Sequence, residues 1–138
     1  MFVRWKKRKL TRAWHKHRGD IVLCAQLVEC RRVDGKPRQK VIKYLGSIHD
    51  YGRDTSGHQL GFWDTADRAL GELTLDAAAR REVEAALLAK VPRPTPAHYE
   101  GREAARRAGQ AGGGMSDRVR AYDAAFRSAQ ESAIGGLS

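Results

Sequence analysis

Four sets of residues in this 138-residue chain have types that do chemistry. The largest is cationic: Arg4, Lys6, Lys7, Arg8, Lys9 and Arg12 crowd the N-terminus, and Arg31, Arg32, Lys36, Arg38 and Lys40 follow. Such clusters hold polyanions, because each phosphate they neutralise releases counterions whatever the base sequence. Trp5 and Trp14 interleave with these cations, where an indole either stacks on an unpaired base or packs into a core. His15, His17, His49 and His58 are of metal-ligating type, but no acid or thiol stands at a spacing that would complete a site, so neither metal nor cofactor is expected. Cys24 and Cys30 are too few for a disulfide framework. In one strand they would lie about 20 Å apart, beyond the roughly 7 Å between Cα atoms that a disulfide tolerates. Cys30, next to Arg31 and Arg32, has a setting that could lower its pKa, against the plainer reading of a half-buried strand cysteine. Asp50, Asp54, Asp64 and Asp67 are the acids from which a two-metal nuclease would be built, but Asp64 and Asp67 read better as helix-start residues. No glycine-rich phosphate loop, G-x-S-x-G elbow or H-E-x-x-H is present, and the expectation is a protein that binds rather than catalyses.

The elements that must position these cations follow from composition. From Met1 to Asp50 there are 14 Lys and Arg against four acids, a net of +10 that equals the charge of the whole chain. Everything after it is close to neutral. A field concentrated in this way steers polyanions on approach, with nucleic acid ahead of an anionic membrane. It excludes an acidic DNA mimic. No apolar run reaches 18 residues and no apolar segment follows the basic N-terminus, so a soluble, cytoplasmic protein without a membrane partner is expected.

Ile21 to Val33 is β-branched and apolar at its start and polar at its end, which predicts a strand. Asp34-Gly35 then supplies a type I′ hairpin turn, and the return strand runs from Lys36 to about Ile48. The turn sets a register in which Val33 faces Lys36, Arg31 faces Arg38, Glu29 faces Lys40, Leu27 faces Ile42 and Ala25 faces Tyr44. On the other face Cys24 stands beside Leu45. Arg31 opposite Arg38 is repulsive by a few tenths of a kcal/mol, which an anion between them would relieve. Phe2 to Leu10 fits either a third strand or a flexible basic arm.

Residues 49–61 are rich in turn formers and predict a loop. A short helix then runs from Asp64 to about Gly71, and a second, capped by Thr74, carries Leu75, Ala79, Val83 and Leu87. This pair has the outline of a helix-turn-helix, but the mixed signs of Asp76, Arg80, Arg81, Glu82, Glu84 and Lys90 favour a supporting role against the sheet. Residues 93–115 read as a Pro-rich then Gly-rich linker, weakly helical over 100–110, before an amphipathic helix over 116–132 with Val119, Tyr122, Phe126 and Ala129 on one side. That helix would dock on its own domain, on a protein partner or on a second copy.

The hairpin residues Leu27-Val-Glu-Cys-Arg-Arg-Val-Asp-Gly-Lys-Pro-Arg-Gln-Lys-Val-Ile-Lys-Tyr-Leu-Gly46 resemble the segment near the N-terminus of insertion-sequence transposases of the DDE type, with its LVES-R-x-x-GK-x-RQ-R-V-x-x-LG pattern. Cys30 stands where the pattern has Ser. The resemblance implies a terminal module concerned with element DNA. Transposase activity is not expected to come with it, since 138 residues leave no room for the catalytic domain.

The expected architecture is α+β: a small antiparallel sheet built on the hairpin 21–33/36–48, packed by two or three helices over residues 1–92, with a flexible C-terminal extension. The expected function is non-enzymatic binding of nucleic acid, DNA ahead of RNA, as an accessory or regulator of a mobile element. In this reading Arg31, Arg32, Lys36, Arg38 and Lys40 make the tip contacts, and Arg4, Lys6, Lys7, Arg8, Lys9 and Arg12 the arm contacts. The alternative is a protein–protein module, an inhibitor or assembly factor of phage or plasmid type that docks on an acidic surface of a nucleoprotein complex.

Overall fold

A computed structural model describes residues 1–11 and 19–135. Arg12, Trp14, His15 and His17 lie outside the described residues, so the expectations attached to them are not addressed by it. The chain divides into two compact units, Met1–Arg93 and Pro94–Ser138.

The first unit is an open three-stranded antiparallel sheet carrying two helices, an α+β fold. Strands β1 (Phe2–Lys9), β2 (Ile21–Val33) and β3 (Lys36–His49) lie in the order β1-β2-β3. The N-terminal segment, open between strand and arm in the sequence, is therefore an edge strand, with Trp5 opposite Ala25 and Lys9 opposite Ile21. Helices α1 (Ser56–Gly71) and α2 (Ala77–Leu88) cover one face, joined to β3 by a single 3-10 turn at Asp50–Gly52. Leu23, Ala25 and Leu27, alternating along β2, meet Leu45 and Ile48 of β3 and Phe62, Trp63, Ala66 and Leu70 of α1 in the core. Period-2 and period-3.6 apolar patterns thus close on each other, as a two-layer domain requires.

The predicted register holds from Val33↔Lys36 through Arg31↔Arg38 to Val28↔Val41. Beyond that it shifts twice: Leu27 faces Lys43 and Ala25 faces Gly46, so Ile42 and Leu45 are each an extra residue on β3. Two bulges change which side chains point inward. Leu45, expected beside Cys24 on the face opposite Ala25 and Leu27, is instead fully buried with Ala25 and Leu27, and Tyr44, expected opposite Ala25, stands beside Gln26 on the open face. Gly46 permits the second bulge: its φ is 146°, and a Cβ there would sit 3.2 Å from the Phe62 ring.

The first helix corrects the sequence reading. It starts at Ser56, eight residues before Asp64, although Gly57 and Gly61 weaken the helical signal there. Asp64 and Asp67 are interior to it. Asp67 receives both guanidinium nitrogens of Arg93, at 3.1 and 3.0 Å, while Arg93 lies 4.0 Å over the Trp63 ring. Trp63 Nε1 donates to the Val91 and Pro92 carbonyls at 3.3 and 3.2 Å, so one side chain anchors the segment that leaves α2. The cap of α2 is Asp76, whose carboxylate accepts from Ala79 N at 2.7 Å, rather than Thr74.

In the second unit, where a linker was expected, Pro96–Gln110 is helix α3, followed by α4 (Met115–Gly135). Thr95 opens α3 with a capping box closed by His98, and Pro96 stands in its first turn. The two helices pack together: His98 is 4.9 Å from Phe126, Phe126 stacks on Tyr122 at 6.0 Å, and a Cβ on Gly101 would come within 2.8 Å of the Tyr122 ring. Tyr122, Phe126 and Ala129 are half-buried, as the stripe implied, while Val119 is exposed. No described helix is long and apolar enough to cross a membrane.

Candidate nucleic-acid interface

The hairpin turn has the geometry its two residues dictate. Asp34 and Gly35 take φ of 54° and 75°, positive at both central positions as a type I′ turn needs. Because β1 stops pairing at Phe2↔Val28, the hairpin beyond Val28 is a two-stranded ribbon. Five residue steps carry it about 17 Å past the three-stranded sheet, and every residue from Cys30 to Val41 is exposed. Arg31, Arg32, Lys36, Arg38 and Lys40 all lie on this ribbon. Arg31 and Arg38 are opposite each other, and the charge conflict is partly answered within the chain, because the Arg31 guanidinium pairs with the Glu29 carboxylate.

Strand alternation divides the cations of β1. Arg4, Lys6 and Arg8 face away from the helices, opposite Gln26, Cys24 and Val22. Val3 and Trp5 face the core, where Trp5 stacks on Phe62 at 5.8 Å and donates Nε1 to the Ala86 carbonyl at 3.3 Å. Trp5 is thus a core residue rather than a stacking platform. Arg4 is tied down across the sheet: its two terminal nitrogens donate to Gln26 and Gln39, each at 2.8 Å. Its Nε is buried without a hydrogen-bond partner among the described residues. Lys6, Lys7, Arg8 and Lys9 are exposed.

The open face also holds a groove of about 560 Å³, lined by Lys6 and Arg8 from β1, Cys24 and Gln26 from β2, and Tyr44 and Ser47 from β3. Burial pushes the Cys24 thiol up, against the opposing pull of Arg8 and Lys6, so the thiol is neutral at physiological pH. Tyr44 and Ser47 were not among the residues singled out from the sequence. Gly46 marks the second bulge, which precedes Ser47, whereas nothing in the strand pattern marks the first bulge, at Ile42, which turns Tyr44 outward.

Cations and acids are segregated between the layers. The three strands and the hairpin turn hold 11 Lys and Arg against two acids, whereas residues 56–88, which contain α1 and α2, hold six acids against three arginines. The sheet and ribbon therefore present the positive side of the unit.

Among the described residues the remaining candidate chemistry is not assembled. Asp50 pairs with Arg53 at 3.3 Å, and Asp67 is engaged by Arg93. Among the described residues no group of three His, Cys, Asp or Glu is placed to hold a metal ion. His49 and His58 instead flank Tyr51 in an aromatic cluster, with His49 and Tyr51 centroids 5.0 Å apart. Cys24 and Cys30 are both free thiols.

Comparison with known proteins adds one finding. Residues 15–91 match the model of the IS1634 family transposase, N-terminal domain, a span that includes β2, the ribbon, β3 and both helices of the first unit. No curated protein and no solved structure matches the chain.

Proposed function

The chain belongs to the family of IS1634 transposase N-terminal domains, and on that premise we propose that it binds the DNA of a mobile element without itself cutting or joining it. The observation that carries the reading is the exposed ribbon beyond Val28, with five cations against two acids, Glu29 and Asp34. A two-stranded ribbon has the cross-section that the major groove of B-DNA admits. With the ribbon in the groove, Lys6 and Arg8 on the open face of the edge strand are the residues for flanking phosphates. The helical layer, with its acids, faces away from the polyanion and supports the sheet. The module serves the element as an accessory or regulator, holding DNA rather than reacting with it.

The test is binding of the full chain to a random-sequence duplex across a salt series, with magnesium and chelator arms. If the five ribbon cations together with Lys6 and Arg8 each displace a counterion, log K falls against log salt with a slope of about −6. The duplex is recovered intact in both arms. A flat salt dependence, or no binding near physiological salt, would remove DNA as the ligand and leave the basic surface to an acidic protein. Cleavage that requires magnesium would overturn the non-enzymatic reading.

A further inference from the structure

The groove on the open sheet face differs in kind from the ribbon. A ribbon meets a duplex from outside, whereas this groove is concave and of about 560 Å³, the size of a site that encloses a small ligand. Its chemistry is graded across the sheet. Lys6 and Arg8 stand on the β1 bank, Cys24 and Gln26 form the floor, and Tyr44 with Ser47 form the β3 bank. Two strand spacings, about 10 Å, separate the cations from the tyrosine. Cations on one side and an exposed aromatic ring on the other match the two ends of a nucleotide, phosphate and base.

The geometry points to a site for an unpaired nucleotide of a DNA strand, with its phosphate at Lys6 and Arg8 and its base against Tyr44. This rests on the DNA-binding reading above and deepens it, because in a duplex the base faces are stacked and closed to Tyr44. Three features agree with it. Tyr44 is 46% exposed although it lies mid-strand, since the bulge at Ile42 turns it out of the core. Gln26 accepts Arg4 on Oε1, which orients its amide and keeps the N–H2 end as a donor for a base edge. The Cys24 thiol is neutral, so the floor carries no charge to repel a phosphate. Stacking of this kind tolerates any base, so the site would select for strandedness rather than sequence.

The experiment measures binding of the full chain to a blunt 20-base-pair duplex and to the same duplex bearing a five-nucleotide thymidine overhang at its 3′ or 5′ end. The overhang is expected to tighten binding. Replacing Tyr44 by Ala is expected to remove that gain, a loss of about 5- to 100-fold for the overhang substrates, with blunt-duplex affinity unchanged. Tyr44→Phe, which keeps the ring, should retain it. Equal affinity for blunt and overhang duplexes, or equal weakening of both by Tyr44→Ala, would overturn the groove while leaving duplex binding intact. Loss of all binding in the unaltered chain would instead sink the DNA-binding reading itself. Should Tyr44→Ala not fold, photocrosslinking of bromouridine in the overhang to the unaltered chain decides the matter. Crosslinks to the peptide containing Tyr44 support the site, and crosslinks confined to residues 31–40 refute it.

Discussion

Gly46 links a single backbone angle to the composition of both sheet faces. Its φ of 146° lies where L side chains are strained, and a Cβ would press on Phe62 at 3.2 Å. Both costs act together, so Gly46→Ala should lower stability by about 1–3 kcal/mol, read as a shift in the denaturant midpoint. Gly61 offers the opposite sign within the same unit. It is exposed in α1 with open space around the missing Cβ, and Gly61→Ala should raise stability by about 0.5–1 kcal/mol. A midpoint unchanged or raised by Gly46→Ala would mean that the bulge at Leu45 does not depend on glycine. Of the residues that matter most here, Leu45 and Tyr44 were placed on the wrong faces by sequence reasoning. Alternation extrapolated from the turn cannot register an inserted residue, and it went wrong at the first bulge.

At the scale of elements, the ribbon can be altered without disturbing the core, because its cations are exposed and lie beyond the three-stranded sheet. Arg31→Ala with Arg38→Ala should leave the melting temperature nearly unchanged, weaken binding about equally across DNA sequences, and reduce the salt slope by roughly one to two. An undiminished slope would move the phosphate contacts away from the ribbon. The junction of β3 with α1 makes a pH prediction. Lys43 hydrogen-bonds the Glu72 carboxylate at the end of α1 and holds its pKa below the usual value. A carboxyl with a depressed folded-state pKa stabilises above its unfolded-state value, and that stabilisation is lost as pH falls through the folded pKa. Melting curves of the unaltered chain and of Glu72→Gln should therefore differ at neutral pH and converge in acid, with the gap narrowing in high salt because the pair is exposed. The hairpin was legible because Asp34-Gly35 and the β-branched run of β2 act locally and agree. Helix α3 was legible only as a weak helical tendency over 100–110, because its start and stability come from packing of Gly101 on Tyr122 and from a capping box closed by His98, not by the usual Glu or Gln. The start of α1 was hidden behind two glycines whose local preference the core contacts of Leu60, Phe62 and Trp63 override.

Over the whole molecule, the excess positive charge belongs to one of the two structural units. Residues 1–93 carry 20 Lys and Arg against 11 acids, a net of +9, whereas residues 94–138 carry six against five. The first unit has its own core, with Trp63, Leu23, Leu27 and Leu87 nearly fully buried, and its last residue, Arg93, is fastened to its surface by Asp67 and Trp63. Removing residues 94–138 should then leave a cooperatively folding unit whose DNA affinity and salt slope match those of the full chain, since the deleted part adds a net of only +1. The measurement is a urea melt followed by the same salt series used for the full chain. A shallower slope in the truncated protein would bring the arginines of α3 and α4 into contact with phosphate. An unchanged slope with a loss of affinity at high protein concentration would assign the second unit to self-association, in which two DNA-binding units act on one duplex and gain from effective concentration rather than from new phosphate contacts. The two results separate because the salt slope counts displaced ions, whereas linked binding changes affinity through geometry.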